Sequence, residues 1–193
     1  MKTTFLILLL LLGVVCAVSP GAPPTCAAAR NQAEISEIHI DQDKKNLEVS
    51  FRISNCFTSD MEEAVLSGVE TTFKVLLVLE KPGFPLFRQK LVDVVLDHTI
   101  KYDRINNEFQ VTRSQNQEVL TTTDFEEAKK WMSEVNDLPL IPMWRLEKEG
   151  EYRLRVKAEL SKVHLPLFFR YIFYFVSLWD FETAWHEQTL TVK

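Results

Sequence analysis

Three side chains near the C-terminus have the chemistry of acid–base catalysts. Asp180, Glu182 and His186 are separated by even numbers of residues, and even spacing places side chains on one face of a strand. Two carboxyl groups and an imidazole on one face of a cleft could exchange protons with a bound substrate. The same spacing also describes a solvated strand face. An enzyme that uses these three residues is therefore the third hypothesis in rank.

Other reactive groups occur without the spacing that catalysis or metal binding needs. The four histidines are His39, His98, His164 and His186, and no His-Glu-x-x-His or Cys-x-x-Cys motif is present. Neither a Gly-x-Ser-x-Gly nucleophile motif nor a glycine-rich phosphate loop occurs. We therefore expect no catalytic residue, no metal site and no cofactor.

The N-terminus predicts export from the cytoplasm. Lys2 precedes an apolar run from Phe5 to Val18, and a short apolar run behind a positive charge is typical of a signal peptide. The run has about 14 residues, whereas a transmembrane helix needs about 20. We expect cleavage after Ala17, with retention of residues 1–17 as an anchor as the alternative. The expected location is the periplasm or the cell envelope.

The remaining chain has the size of one domain. Residues 18–33 are rich in Pro, Ala and Gly and predict a flexible linker, and residues 34–193 suit a single core. Loss of Lys2 leaves 21 basic against 27 acidic residues, a net charge of −6. Because nucleic-acid binding requires a net basic face, we expect no nucleic-acid partner.

Two cysteines remain after removal of a leader that carries Cys16. A disulfide between Cys26 and Cys56 would suit an oxidising compartment and could contribute about 3 kcal/mol to stability. In the alternative, Cys26 lies in the flexible arm and Cys56 is buried as a small apolar residue. The sequence leaves both interpretations open.

Alternating apolar residues predict most of the strands. Hairpins are expected at 35–53 and 88–111, and 152–160 alternates as a half-buried strand. The Val- and Leu-rich run 71–80 predicts a strand covered on both faces, and 138–144, with its two prolines, predicts an extended loop.

Two helices are expected between these strands. Ser59 with Glu62, and Thr123 with Glu126, have capping-box spacing. The predicted fold class is therefore mainly β: an antiparallel β-sandwich, immunoglobulin-like in general architecture, with two or three short helices.

The most apolar part of the predicted domain is Leu165–Leu178. It is too short to span a bilayer, and it is either packed in the core or exposed as a contact patch. Its periodicity does not distinguish helix from strand. The candidate residues for contact with a partner or a membrane are Phe168, Phe169, Arg170, Phe173, Phe175, Trp179 and Trp185.

Two further patterns concern the last strands. Trp179, Phe181, Thr183 and Trp185 are expected on one side of a strand, with the acid–base residues on the other. Arg153, Arg155 and Lys157 form a basic stripe that either solubilises the domain or contacts anionic groups.

Several segments together resemble an exported bacterial family, the domain of unknown function 4390. They are the Trp-Asp-Phe-Glu-Thr-Ala-Trp stretch 179–185, the Leu-Pro at 165–166, the strand 152–156 and the Lys-Tyr-Asp turn 101–103. The resemblance covers Glu34–Val192. It implies a bacterial envelope protein with an accessory role in signalling, and it implies no reaction and no catalytic residues.

The leading hypothesis is a non-catalytic cell-envelope binding module that contacts a membrane-associated protein or the membrane surface. The alternative is a carrier or sensor of a small apolar ligand or lipid, with a pocket between the sheets. The sequence does not predict the oligomeric state.

Overall fold

The computed structural model describes residues 32–83, 89–161 and 181–192. The chain divides into two units, Met1–Arg30 and Asn31–Lys193, and all of the described residues belong to the second. No helix among these residues is both long and apolar enough to cross a bilayer.

The described part of the chain forms strands joined by short connections and two helices. In chain order the elements are β1 Glu34–Asp41, β2 Asn46–Ser54, α1 Ser59–Leu66, β3 Thr71–Lys81, β4 Gln89–Asp103, β5 Glu108–Arg113, β6 Glu118–Thr122, α2 Phe125–Ser133, β7 Glu134–Pro142, a 3₁₀ turn Met143–Arg145, β8 Glu151–Leu160 and β9 His186–Thr191.

These strands form two antiparallel sheets. The smaller sheet has the order β1-β2-β7 and the larger has the order β6-β5-β4-β3-β8-β9. Inward-facing residues of both sheets, such as Val49 and Phe51 from the small sheet and Val75 and Leu77 from the large one, belong to one buried apolar cluster. Two faces that exclude water from a shared core define a sandwich, so the predicted fold class is confirmed.

The two predicted hairpins and the half-buried strand are confirmed. β1 pairs with β2, β4 pairs with β5, and Tyr152, Leu154 and Val156 of β8 are buried between partly exposed neighbours. The prediction for 71–80 is correct only in part. β3 alternates as far as Leu77, and only from there to Glu80 is it buried on both faces.

The helices form where the sequence predicts them, but each cap lies one residue away from the predicted one. Thr58 caps α1, since its Oγ1 accepts from Met61 N at 3.3 Å. Asp124 caps α2, since its Oδ1 accepts from Glu126 N at 2.9 Å. Ser59, predicted as a cap, is instead the first helical residue of α1.

The extended loop predicted for 138–144 is wrong, because most of it belongs to β7. This strand pairs with β2 through two register shifts and is an edge strand of the small sheet. Pro139 and Pro142 lie opposite Glu48 and Asn46. Proline is tolerated at a sheet edge because only one side of the strand needs its N–H groups.

Candidate functional site

Six aromatic rings form a continuous row at one end of the sandwich. From ring to ring the row runs Tyr102, Phe109, Phe125, Phe57, Phe73 and Phe181, with centroid separations of 4.6, 4.8, 6.4, 5.1 and 4.9 Å. Adjacent rings at such distances attract one another beyond the effect of burial alone. The row therefore joins five parts of the chain into one structure, which we call the aromatic row: the β4–β5 hairpin, α2, the connection between β2 and α1, β3 and the segment before β9.

The chain leaves and re-enters the large sheet beside the end of this row. Leu160 N donates to Phe181 O at 3.0 Å, and Ala158 and Thr183 exchange two hydrogen bonds of 2.9 and 3.0 Å. The pairing of β8 with the returning chain therefore continues up to the point where residues 162–180 begin. Those nineteen residues connect two antiparallel neighbours, for which two to five residues are usual.

Most of the predicted contact residues belong to this connection. Phe168, Phe169, Arg170, Phe173, Phe175 and Trp179 lie outside the described residues. What the structure establishes is the position of the two ends, Ser161 and Phe181. Ser161 is fixed as well, since its N–H donates to Thr72 O at 2.8 Å. Residues 162–180 are thus attached at both ends to ordered strand backbone.

The same end of the domain also receives the chain from its N-terminal side. β1 begins at Glu34, which pairs with Ser54, the last residue of β2. Three residues further on, Phe57 contacts Phe73 in the aromatic row. β1 therefore begins at the end of the domain where residues 162–180 leave it.

A bulge separates the returning chain from β9. Glu182 lies opposite Glu159, and His186 lies opposite Val156. The returning chain advances four residues from Glu182 to His186, whereas β8 advances only three between their partners. The returning chain therefore contains one extra residue. An extra residue reverses the alternation of side chains beyond it. As a result Trp185 lies on the outer face of the large sheet, beside Arg155.

This bulge corrects two predictions about the tail. Phe181 contacts Phe73 in the core, whereas Trp185 lies on the opposite face, so the two do not share a side as predicted. Glu182 and His186 do not share a face either, since the bulge lies between them. The regular strand begins only at His186, and before it Glu182 makes a single isolated bridge.

The proposed acid–base trio is therefore not assembled among the described residues. Glu182 is exposed and pairs with Lys157 on the outer face, His186 is exposed at the sheet edge, and Asp180 lies outside the described residues. Nor does the described part of the chain bring together three or more histidine, cysteine or carboxylate side chains that could hold a metal.

The basic stripe of β8 is largely neutralised. Arg155 Nε donates to Glu187 Oε1 at 2.9 Å, and Arg153 lies 3.7 Å from the other oxygen of that carboxylate. The guanidinium carbon of Arg155 lies 4.4 Å from the centre of the Trp185 ring, and Lys157 Nζ lies 5.8 Å from it. Paired cations of this kind bind an anionic surface weakly, since their carboxylate partners repel it.

Cys56 is buried beside the aromatic row. Its thiol is free in the structure and donates to Ile53 O at 3.3 Å, and burial raises its pKa to about 12. A thiol of this kind is inert as a nucleophile. Its predicted disulfide partner Cys26 lies outside the described residues, so the bridge stays a prediction.

One exposed feature of this end was not anticipated from the sequence. The turn between β4 and β5 carries Ile105, which is 94% exposed. The signal that identifies it is an isolated isoleucine inside the polar run Asp103–Asn107, where a turn needs no apolar residue.

Comparison with known proteins gives a family without a function. The family model described as "Domain of unknown function (DUF4390)" matches residues 30–189. No curated protein and no solved structure matches the chain. The match covers β1 to β8, the first four residues of β9, the aromatic row and the connection 162–180.

Proposed function

This chain belongs to the DUF4390 family, and since that family carries no known activity, we propose a function from the geometry of the aromatic end. The protein is a non-catalytic binding module of the cell envelope that contacts a membrane-associated protein through residues 162–180 and Trp185. The signal-like segment 1–17 supports its export.

One observation carries this proposal: a long apolar connection begins and ends at one rigid point. The β8–β9 pairing reaches Leu160 and Phe181 before the chain departs. A turn of two to five residues would be enough to close this hairpin, so the fold itself does not require a connection of nineteen residues. Residues 162–180 include ten aromatic or branched aliphatic side chains between Leu165 and Val176. A segment that is fixed at both ends loses less conformational entropy on binding than a free tail does.

Binding inside the sandwich is less favoured than binding at its end. The inner faces already bury one another, and Leu47, Phe73 and Leu77 are fully inaccessible to solvent. A carrier of a small apolar ligand would need these side chains to leave room for it. The same closed packing argues against a substrate cleft between the sheets.

The test shortens the connection without disturbing its ends. Because Leu160 and Phe181 are already paired, residues 162–179 can be replaced by Asn-Gly, which favours a two-residue hairpin turn. We expect the shortened protein to unfold at nearly the same urea concentration as the parent. A photoreactive amino acid at position 173 of the full-length parent identifies the partner by crosslinking in living cells. We expect a pull-down from solubilised envelope to recover this partner with the parent and not with the shortened protein.

A second variant keeps the length of the connection and removes its apolar character. Phe168→Ser, Phe173→Ser and Phe175→Ser are combined, with the photoreactive residue moved to position 169. The matched control carries the photoreactive residue at Gln110, which is exposed on the outer face of β5. If the triple variant crosslinks the same partner as efficiently as the parent, the proposal is wrong.

A further inference from the structure

The turn between β4 and β5 holds Ile105 away from the protein by a set of local hydrogen bonds. Asp103 Oδ1 accepts from Ile105 N at 2.9 Å and from Asn106 N at 3.2 Å, and Asn106 Nδ2 donates to Asp103 Oδ2 at 2.9 Å. These bonds lower the pKa of the Asp103 carboxyl group. They use only the backbone of Ile105, so the turn would form equally well with a polar residue there.

The aromatic row stiffens the base of this turn. Tyr102 stacks on Phe109 across the hairpin, with the ring planes inclined by 27°. The Tyr102 hydroxyl donates to Asn107 Oδ1 at 2.5 Å, on the far side of the tip. An apolar side chain on a rigid support loses little conformational entropy when a partner covers it.

A second exposed apolar residue lies at the end of α1. Leu66, the last residue of α1, is 45% exposed. Gly68, two residues further on, has a φ of +90°, and a Cβ added there would lie 3.8 Å from Arg104 Cδ. The turn that follows α1 therefore lies beside the side chain of Arg104, the residue that precedes Ile105. Leu66 and Ile105 lie within two residues of Gly68 and Arg104 along the chain, and we call the pair the apolar tip.

The surroundings of the apolar tip are acidic. Between Ser59 and Glu70 the chain has four carboxylates and no basic residue. Glu62 is paired with Lys129 at 2.8 Å, whereas Asp60, Glu63 and Glu70 are exposed. The charges of the β4–β5 turn cancel, because Lys101 and Arg104 are matched by Asp103 and Glu108. The two segments that carry Leu66 and Ile105 therefore have a net negative charge.

From this arrangement we infer that the apolar tip is a second contact surface, and that it fits an apolar pocket bordered by basic side chains on a partner protein. The inference rests on the proposed function, since it names the chemistry of the partner that residues 162–180 contact. Biological membrane surfaces are neutral or anionic. They would not attract three exposed carboxylates, whereas a basic protein surface would.

The experiment uses the processed, isotopically labelled protein and two synthetic peptides. Both are amphipathic helices with the same leucine positions, and their polar positions are all lysine in one and all glutamate in the other. We expect the lysine peptide to produce saturable amide shifts at Leu66 and Ile105, weakened by salt. The glutamate peptide should produce none. Equal shifts from both peptides, or no shifts at the tip, overturn the inference.

Substitutions locate the binding. Ile105→Asp should raise the Kd of the lysine peptide at least about tenfold, as expected for an anchor residue that contributes more than about 1.4 kcal/mol to binding. The matched control is Val119→Asp, since Val119 is also exposed but lies on the edge strand β6. An equal loss in both variants contradicts the inference. Amide shifts at Leu66 and Ile105 that are larger with phosphatidylglycerol vesicles than with the lysine peptide also contradict the inference.

The shortened protein separates this inference from the proposed function. If the lysine peptide still binds the tip when residues 162–179 are replaced, the tip is a surface in its own right whatever the crosslinks show. If the crosslinks at position 173 succeed while the peptide leaves Leu66 and Ile105 unshifted, the inference fails and the proposed function stands.

Discussion

His98 Nδ1 lies 3.0 Å from the carbonyl oxygen of Met132, at the C-terminal end of α2. The preceding carbonyl, of Trp131, accepts from Arg113 through Nε at 3.1 Å and Nη2 at 2.9 Å. His98 and Arg113 are paired across β4 and β5. Two neighbouring strands thus satisfy carbonyl groups that the end of a helix leaves without partners, and hold α2 against the large sheet.

This contact predicts that the protein loses stability in mild acid. The pKa of His98 is lowered, mainly by burial and also by the charge of Arg113. Hydrogen bonds to Met132 and Gln115 and the charge of Asp97 raise the pKa, but they do not outweigh burial. As pH falls through about 6.5, the unfolded chain takes up a proton that the folded protein resists. We expect the free energy of unfolding to fall through this range and to level off below the folded pKa. Urea unfolding at pH 8, 7, 6 and 5 measures it.

A variant without the imidazole tests the assignment to this residue. His98→Asn should lose about 1–3 kcal/mol at pH 8, because it leaves buried polar groups without partners. It should also show a flatter dependence on pH between 8 and 5 than the parent. The control is His186→Asn, at an exposed position, which should keep the slope of the parent. An unchanged slope in His98→Asn would show that other groups cause the effect.

The caps of the two helices give a prediction with controls one residue away. Thr58→Ala and Asp124→Ala should each destabilise the protein by about 1 kcal/mol, since each removes the oxygen that accepts a first-turn N–H. Ser59→Ala and Thr123→Ala, at the positions that the sequence pattern favours, should change stability by less than about 0.5 kcal/mol. The midpoints of urea unfolding curves measure the stability of the four variants. If Ser59→Ala destabilises the protein more than Thr58→Ala, or Thr123→Ala more than Asp124→Ala, the cap predicted from the sequence is the correct one for that helix.

These near misses show what sequence reasoning can and cannot resolve. Thr58 and Ser59 are adjacent and both suit a cap, so the pattern gives the helix but not its first residue. β7 was missed because Pro139 and Pro142 argue against a strand unless the strand is known to lie at an edge. Which strands lie at edges depends on long-range pairing, which alternation of residues does not show.

The site was less predictable than the fold for a related reason. Strand alternation placed Phe181 and Trp185 on one side, and a single extra residue before His186 separates them. Nothing in Thr183 or Ala184 marks a bulge in the way that a glycine would. The aromatic row was likewise invisible, because its six rings come from five separate parts of the chain.

The buried thiol predicts a distinctive chemical behaviour. Cys56 has a pKa of about 12 and is only 4% exposed, so in the folded, processed protein it should not react with Ellman's reagent at pH 8. After the protein has been reduced and unfolded and the reductant removed, two thiols should titrate, Cys26 and Cys56. If the exported protein contains the predicted disulfide between Cys26 and Cys56, unfolding without reductant should reveal no free thiol. Rapid reaction of Cys56 in the folded state would contradict its burial.

The last prediction concerns two tryptophans in contrasting surroundings. Trp185 receives the guanidinium of Arg155 at 4.4 Å, whereas Trp144 is 80% exposed beside Arg145 in the 3₁₀ turn. Trp185→Ala should lower the free energy of unfolding by about 1–2 kcal/mol, through lost packing and lost cation–π attraction. Trp144→Ala should change it by less than about 0.5 kcal/mol.

A double-mutant cycle separates the stacking from the packing. Combining Trp185→Ala with Arg155→Gln should give a coupling energy of about 0.5–1 kcal/mol, the value expected for a partly exposed cation–π pair. The matched cycle of Trp144→Ala with Arg145→Gln should give none within error. A coupling of zero in the first cycle would contradict a stabilising cation–π contact, and would mean that the bulge places Trp185 over Arg155 without stabilising the sheet edge.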